Sequence, residues 1–329
     1  MQLHQRFQQT ILKATGANSF CVQQVIQELW SGYGQILRLQ LRGGTYKSVV
    51  VKHVALPNKQ KHPRGWNSSI SHERKIKSYE VETAWYRNYA LSCDEACKIP
   101  MFLGYDSVDD EVLIVMEDLD AVGYPLRKSS VDWKAIEHCL SWLANFHATF
   151  LNQEPKGLWE IGTYWHLKTR PEELDVLTDE PLKETANLID KKLNKAHFQT
   201  FVHGDAKLAN FCFSTNGSVA AVDFQYVGKG VGMKDLAYFI GSCLSENDCE
   251  QLESTILNYY FSELNAAIEK NKTPVDFRLL EKEWRELYPY AWTDFHRFLK
   301  GWSPGHWKIN SYSERISREV INQLKYQKP

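Results

Sequence analysis

The sequence predicts an α+β protein of two lobes, a small antiparallel sheet followed by a mainly helical part. Three observations carry this. The first third alternates short β-rich runs with glycine turns. The remainder places apolar residues at helical spacing in long segments. The length, 329 residues, exceeds one small core and suits two.

An amphipathic helix is expected over 2–14, ended by Gly16. Strand-like runs follow at 22–30, 35–41 and 47–54, separated by Ser31-Gly32-Tyr33-Gly34 and by Arg42-Gly43-Gly44. A polar, basic loop spans 56–71, broken by Pro57, Pro63 and Gly65. A helix over 71–91 and strands at 101–106 and 111–117 complete the first part. The boundary is placed near 118–130, giving lobes 1–119 and 120–329. Further helices are expected at 132–151, 181–196, 234–244, 247–269, 276–300 and 312–325. The exception is 200–226, where short apolar runs end in His203 and Asp223.

Composition narrows the function. Hydrophobic residues make up 43% and charged residues 24%, as in an ordinary globular protein. A formal net charge of −1 argues against a nucleic-acid partner. No run approaches the roughly 18 apolar residues of a membrane span, so no membrane partner is expected. The N-terminus leads into a polar helix and not a signal peptide. Seven irregularly spaced cysteines argue against a disulfide framework and for a reducing cytoplasm. Cys93 and Cys97 share a helical face but lack the further ligands a metal site needs.

The chemistry concentrates in 203–223. Asp205 follows an apolar run and a glycine, a placement that projects a carboxylate from a strand end. Asn210, five positions on, offers a neutral oxygen suited to Mg2+, and Asp223, ending another apolar run, a hard anionic one. Lys207 stands two positions after Asp205, where it can neutralise a transferring phosphate. Each has a plainer reading as well. Asn210 alone is a turn residue, Lys207 a solvated lysine, and His203 an orienting group for the loop. Two aspartates each ending an apolar strand fit the plain reading less well, since clustered carboxylates need a counter-ion.

The order Asp-x-Lys-x-x-Asn, then Asp-Phe, resembles the catalytic and metal-binding loops of the protein-kinase-like superfamily. His203-Gly204-Asp205 and Asp223-Phe224-Gln225 resemble its small-molecule branch. That branch includes aminoglycoside phosphotransferases, choline kinases and ecdysteroid-kinase-like proteins. The resemblance implies a bilobal protein-kinase-like fold with ATP between the lobes. Residues 1–119 would form the nucleotide-binding lobe, and 120–329 the catalytic and acceptor-binding lobe. It further implies Asp205 as catalytic base, and Asn210 with Asp223 as Mg2+ ligands.

Supporting parts are expected in the first third. Gly32 and Gly34 lie where a nucleotide-covering loop belongs, although alone they mark an ordinary hairpin turn. Lys52 shares a strand face with Val50 and Val54, and the resemblance assigns it to the α- and β-phosphates. Its plainer reading is an edge-strand lysine. Glu82, on one helical face with Tyr79, Tyr86 and Tyr89, is the expected partner of Lys52, with Glu73 and Glu80 as alternatives. The run ending at Glu117-Asp118-Leu119 resembles a hinge strand, which implies adenine contacts from the backbones of Glu117 and Leu119.

Only twelve residues separate Asp223 from Asp235, and no Ala-Pro-Glu follows. A small hydroxyl compound is therefore expected in place of a protein. Asp235 is expected to cap its helix or brace the catalytic loop. Aromatic residues crowd the C-terminal segment, from Trp284 to Trp307. Most are expected to pack, and some to line an acceptor pocket for an apolar ring system or a quaternary ammonium. The absence of a dense acidic cluster there argues against a polycationic aminoglycoside. The Gly-Asp, Asp-Phe-Gln and Asp-Leu-Ala-Tyr-Phe patterns look most like the ecdysteroid-kinase-like branch, except that Lys207 stands where that group often has tryptophan. The expected activity is ATP- and Mg2+-dependent phosphorylation of a small-molecule hydroxyl. A choline- or ethanolamine-type acceptor, nucleotidyl transfer and a non-catalytic nucleotide-binding scaffold are the alternatives.

Overall fold

The computed structural model describes residues 3–29, 32–55 and 69–326. These form two compact units. The first takes the described residues up to Ser92, with Ile99–Leu126 and Cys212–Val222. The second takes Cys93–Lys98, Arg127–Phe211 and the residues from Asp223 onward.

The first unit opens with helix α1 (Gln5–Thr15), stopped at Gly16, and strands β1 (Ser19–Glu28), β2 (Gly34–Arg42) and β3 (Ser48–Ala55). Helix α2 (Ser69–Asn88) and strands β4 (Phe102–Val108) and β5 (Glu111–Glu117) follow. The strands form one antiparallel sheet in the order β1-β2-β3-β5-β4. Strand alternation gives the sheet two apolar faces. One buries Phe7 and Ile11 of α1 against Leu39, Val49, Val51 and Val115. The other gathers Leu29, Tyr33 and Val54 against Tyr79 of α2. Lys52 has the parity of Val54 and so lies on the α2 face. Ser31 and nearly all of the expected 56–71 loop lie outside the described residues.

A polar network fixes the chain just after β5. Arg38 on β2 donates from Nε to Asp118 at 2.9 Å and from Nη2 to Asp120, and Ser48 Oγ donates to Asp118 at 2.7 Å. Asp118 is buried, so these donors supply the partners its charge requires.

The second unit is mostly helical: α3 (Trp133–Thr149), α4 (Pro171–Asp175), α5 (Glu180–Asn194), and later α6 (Met233–Cys243), α7 (Glu246–Asn271), α8 (Phe277–Trp302) and α9 (Ser311–Tyr326). Between α5 and α6 the chain forms β6 (Thr200–Val202), β7 (Phe211–Phe213), β8 (Val219–Ala221) and β9 (Gly228–Gly230), of which β8 and most of β7 belong to the first unit. Strand β6 pairs antiparallel with β9, and β7 pairs with β8. The expected helices match within a few residues; α2 ends at Asn88, followed by a 3-10 turn over Ala90–Ser92. Helix α4 was not expected, because five residues are too few to show a period. Strand β9 was not expected either. Gly228-Lys229-Gly230 has no β propensity and is extended through its pairing with β6 and its bonds to Trp159 and Gly162. All seven cysteines are free thiols, and among the described residues no helix is long and apolar enough to cross a membrane.

The turn from β1 into β2 is closed by backbone bonds: Leu29 N–H donates to Gly34 O at 2.8 Å, and Ala55 N–H to Tyr33 O at 2.9 Å. Gly34 has φ +125°, and a Cβ there would lie 2.0 Å from His53 O. Only glycine fits that approach. Gly34→Ala is expected to cost about 2 kcal/mol or more, read as a lower urea midpoint. An unchanged midpoint would show that β2 and β3 separate without penalty.

Candidate active site

The loop after β6 is built around two aspartates with different tasks. Asp205 ends a tight sequence of backbone bonds, with Lys207 N–H on Asp205 O at 2.8 Å and Asn210 N–H on Lys207 O at 2.9 Å. Its carboxylate is held from three directions. Lys207 Nζ donates to Oδ2 at 2.9 Å, Asn210 Nδ2 to Oδ2 at 3.1 Å, and the Tyr238 hydroxyl to Oδ1 at 2.9 Å. The His203 ring accepts the Asp205 N–H at 3.2 Å, so His203 orients the loop.

Asp235, in the first turn of α6, holds the loop from behind. Its carboxylate accepts the backbone N–H groups of His203 at 2.5 Å and Gly204 at 2.9 Å. It also meets His147 Nε2 of α3 at 3.2 Å, and His147 Nδ1 meets the Tyr260 hydroxyl of α7 at 2.7 Å. Asp235 thus braces the loop, one of the two roles expected for it. Gly204 has φ +78°, and a Cβ there would lie 2.1 Å from Tyr226 O. The loop can approach 224–227 only because residue 204 is glycine.

Electrostatics follow from burial. Desolvation raises the Asp205 pKa; Lys207 opposes this and the nearby Asp223 charge adds to it. For Lys207 burial works downward, but Asp205 and Asp223 outweigh it and the pKa is raised. Burial also drives the Tyr238 pKa well up, so that phenol stays a neutral donor.

Asp223 stands just past β8 with φ +72°, a left-handed conformation that is strained for a non-glycine residue and typical of functional positions. Among the described residues no group of three or more His, Cys, Asp or Glu forms a metal cluster. The donor set nevertheless fits Mg2+. Asn210 spends its Nδ2 on the Asp205 carbonyl and carboxylate, at 2.8 and 3.1 Å, which turns its amide oxygen to the other side. One amide oxygen and one carboxylate, completed by phosphate oxygens and water, is an ordinary Mg2+ set.

In the first unit, Lys52 Nζ donates to Glu82 Oε2 at 2.5 Å, and each residue is 2% exposed. Glu73 and Glu80 are exposed, and Glu80 pairs with Lys77. Gly32 and Gly34 lie in the hairpin turn described above. Glu117 N–H donates to Met101 O at 2.9 Å, and Leu119 O accepts Tyr124 N–H at 2.8 Å. Those two backbone groups are therefore engaged internally.

Several residues were not read from the sequence. His147 looked like one apolar-helix residue among many, its only signal being a histidine on a buried stripe. Tyr238 shows in the sequence only as part of the Asp-Leu-Ala-Tyr-Phe pattern, with nothing to mark it as a partner of Asp205. Ser242 Oγ accepts the Leu208 N–H at 2.9 Å, and Lys234 is fully buried with its pKa lowered by desolvation against the pull of Asp294 and Asp190.

Residues 160–273 match the profile of the Ecdysteroid kinase-like family. Over that segment the chain is similar to this family. The segment carries Asp205, Lys207, Asn210, Asp223, Asp235 and Tyr238. Among solved structures the chain is similar to an amicoumacin kinase in complex with AMP-PNP, Ca2+ and Ami, at 13% identity over 98% of this chain and 94% of that one, with a TM-score of 0.54. It is also similar to the macrolide 2'-phosphotransferase of Brachybacterium faecium, at 12% identity over 97% and 96%, with a TM-score of 0.50. The fold is protein-kinase-like, as the loop motifs imply. No curated protein sequence matches the chain.

The Lys52–Glu82 pair gives a test that needs no substrate. Lys52→Met leaves a buried carboxylate without its ammonium and is expected to cost about 3–5 kcal/mol. The double variant Lys52→Met, Glu82→Met is expected to recover most of that loss in urea denaturation. A single variant as stable as the parent would mean that Glu82 is neutralised some other way.

Proposed function

We propose that this protein transfers the γ-phosphate of ATP, with Mg2+, to a hydroxyl of a small molecule. The observation that carries the reading is Asp205: a buried carboxylate held by Lys207, Asn210 and Tyr238 on a loop that Asp235 anchors through two peptide N–H groups. Phosphoryl transfer needs positioning and charge more than covalent chemistry. A rigid carboxylate next to a metal-binding pair supplies that. The solved relative bound to AMP-PNP and Ca2+ supports an adenine nucleotide with a divalent cation.

In this reading Asp205 accepts a hydrogen bond from the acceptor hydroxyl, orients it for in-line attack and takes its proton as the bond to phosphorus forms. Lys207 offsets charge on the transferring group. Asn210 Oδ1 and Asp223 would hold Mg2+, whose charge neutralises the phosphate oxygens. Lys52, fixed by Glu82, would meet the α- and β-phosphates. Adenine would meet backbone groups of Glu117 and Leu119.

A small acceptor is supported by the segment between Asp223 and Asp235. It is tied to the body of its unit: Thr163 N–H donates to Tyr226 O at 3.2 Å, Gly162 N–H to Lys229 O at 2.8 Å, and Trp159 Nε1 to Gln225 O at 2.8 Å. A peptide-holding arm needs free length, and this segment has little.

Asp205→Asn is expected to bind ATP within about twofold of the parent while losing about 10²–10⁴ in kcat, read as ADP release across a panel of alcohols. Undiminished turnover would remove Asp205 from the chemistry. Nucleotide binding by the parent with no turnover on any alcohol would favour the scaffold reading. Asp223→Ala is expected to abolish Mg2+-dependent ATP binding in calorimetry, and normal binding would take Asp223 out of the metal site.

A further inference from the structure

The aromatic C-terminal segment divides by exposure. On α8, Trp284, Trp292, Phe295 and Phe298 are buried, whereas Trp302 and Trp307 are 46% and 61% exposed. Trp302 ends α8, and Trp307 lies in the turn between α8 and α9, immediately before Lys308. This turn is fixed by its own bonds: His306 N–H on Ser303 O at 2.9 Å, Ile309 N–H on His306 O at 2.9 Å, and Lys308 N–H on His306 Nδ1 at 3.2 Å. Lys308 therefore starts from an ordered backbone.

Its ammonium lies over three rings, 5.0 Å from the centroid of Tyr238, 5.5 Å from Phe295 and 5.6 Å from Trp307. Tyr238 is the residue whose hydroxyl donates to Asp205. One aromatic ring thus carries the lysine on its face and the candidate base on its hydroxyl. Among the described residues, the Lys308 ammonium has no carboxylate in ion-pair range and no hydrogen-bond acceptor. An ammonium has three donors, and a half-buried one without an oxygen partner is under-solvated.

We infer that Lys308 is an acceptor-binding residue that donates to an oxygen of the substrate whose hydroxyl meets Asp205, and so selects hydroxy compounds bearing a carboxylate, carbonyl or further hydroxyl over cationic amino alcohols. Two physical points support this. Aromatic faces near Asp205 are what a quaternary ammonium would require, and Tyr238, Phe295 and Trp307 already serve the protein's own ammonium. A cationic acceptor would also face Lys308 and Lys207 together at low dielectric, while the Asp205 charge is already paired with Lys207. Burial lowers the Lys308 pKa to about 8, against the pull of Asp205 and with the push of Lys207. Lys308 remains mainly charged at neutral pH but gains from any oxygen that replaces lost water.

This inference rests on the phosphotransfer reading and narrows its acceptor. The test uses hydroxy compounds in matched trios, each frame carrying a carboxylate, a neutral amide or a trimethylammonium group, on a short chain, an aromatic ring and a steroid nucleus. Binding is measured by calorimetry, without turnover, on the parent, Lys308→Met and Lys308→Arg, with thermal melts to confirm folding. On at least one frame the carboxylate or amide is expected to bind about tenfold more tightly than the ammonium, the size of one charge-assisted hydrogen bond. Lys308→Met should erase that ratio and Lys308→Arg should keep it. A ratio unchanged by Lys308→Met, a preference for the ammonium, or no binding by any trio overturns the inference. ATP binding is measured in parallel. ATP binding without the oxygen preference rejects Lys308 and spares the kinase reading, whereas the preference without ATP binding spares Lys308 and rejects the kinase reading.

Discussion

The arrangement of the second unit depends on satisfying one buried carboxylate. Asp235 is fully buried, and an ionised group there is tolerated only with a complete set of donors. Those donors are the peptide N–H groups of His203 and Gly204 and the ring of His147. To give both N–H groups to one carboxylate the chain must turn sharply at Gly204, whose φ is +78°. That turn sends the Asp205 side chain away from Asp235 and toward Tyr238, Lys207 and Asn210. The position of the candidate base is thus a consequence of the brace behind it. His147 extends the same chain of contacts to Tyr260, so α3, α6 and α7 all bear on the loop.

Much of this was legible because the relevant residues are close in sequence. Asp205, Lys207 and Asn210 lie within six positions, and local spacing set their shared geometry. The choice of Glu82 over Glu73 and Glu80 was legible for a different reason. A helix of known period on a sheet of known parity leaves few carboxylates facing Lys52. What could not be read were contacts made by unrelated stretches of chain. His147 and Tyr238 look like members of apolar helical stripes, and their polar ends matter only once α3 and α6 meet the loop. Strand β9 and helix α4 belong with them: the one is made by the segments it pairs with, the other is too short to have a period.

The two glycines of the first hairpin show how a motif can have two explanations. Gly32-Tyr33-Gly34 was read as a cover for phosphates because of the residues around it. Gly34 also has a requirement of its own, since β3 passes so close that no Cβ fits. A steric reason of this kind operates whether or not a nucleotide is bound. The pattern of glycines therefore weighs less than Lys52, which is buried in an ion pair with Glu82. An ion pair in the interior is seldom kept for stability alone, because apolar residues of similar volume do as well or better. Lys52 and Glu82 are in that respect more informative than the loop.

The acceptor side follows a different logic from the phosphate side. In the proposed function, phosphate and metal would be met by groups fixed at strand ends, where local sequence constrains geometry tightly. The proposed acceptor contact, Lys308, lies instead among Tyr238 from α6, Phe295 from α8 and Trp307 from the turn before α9, which come from three separate parts of the chain. Their helical spacing suggested packing, and for Trp284 and Phe298 that is what they do. Lys308 falls outside any period, in a turn ordered by His306 and Ser303, and so carried no signal of its own. Yet its ammonium changes the meaning of the rings around it. Without Lys308 those faces would suit a cation; with it, they hold one already.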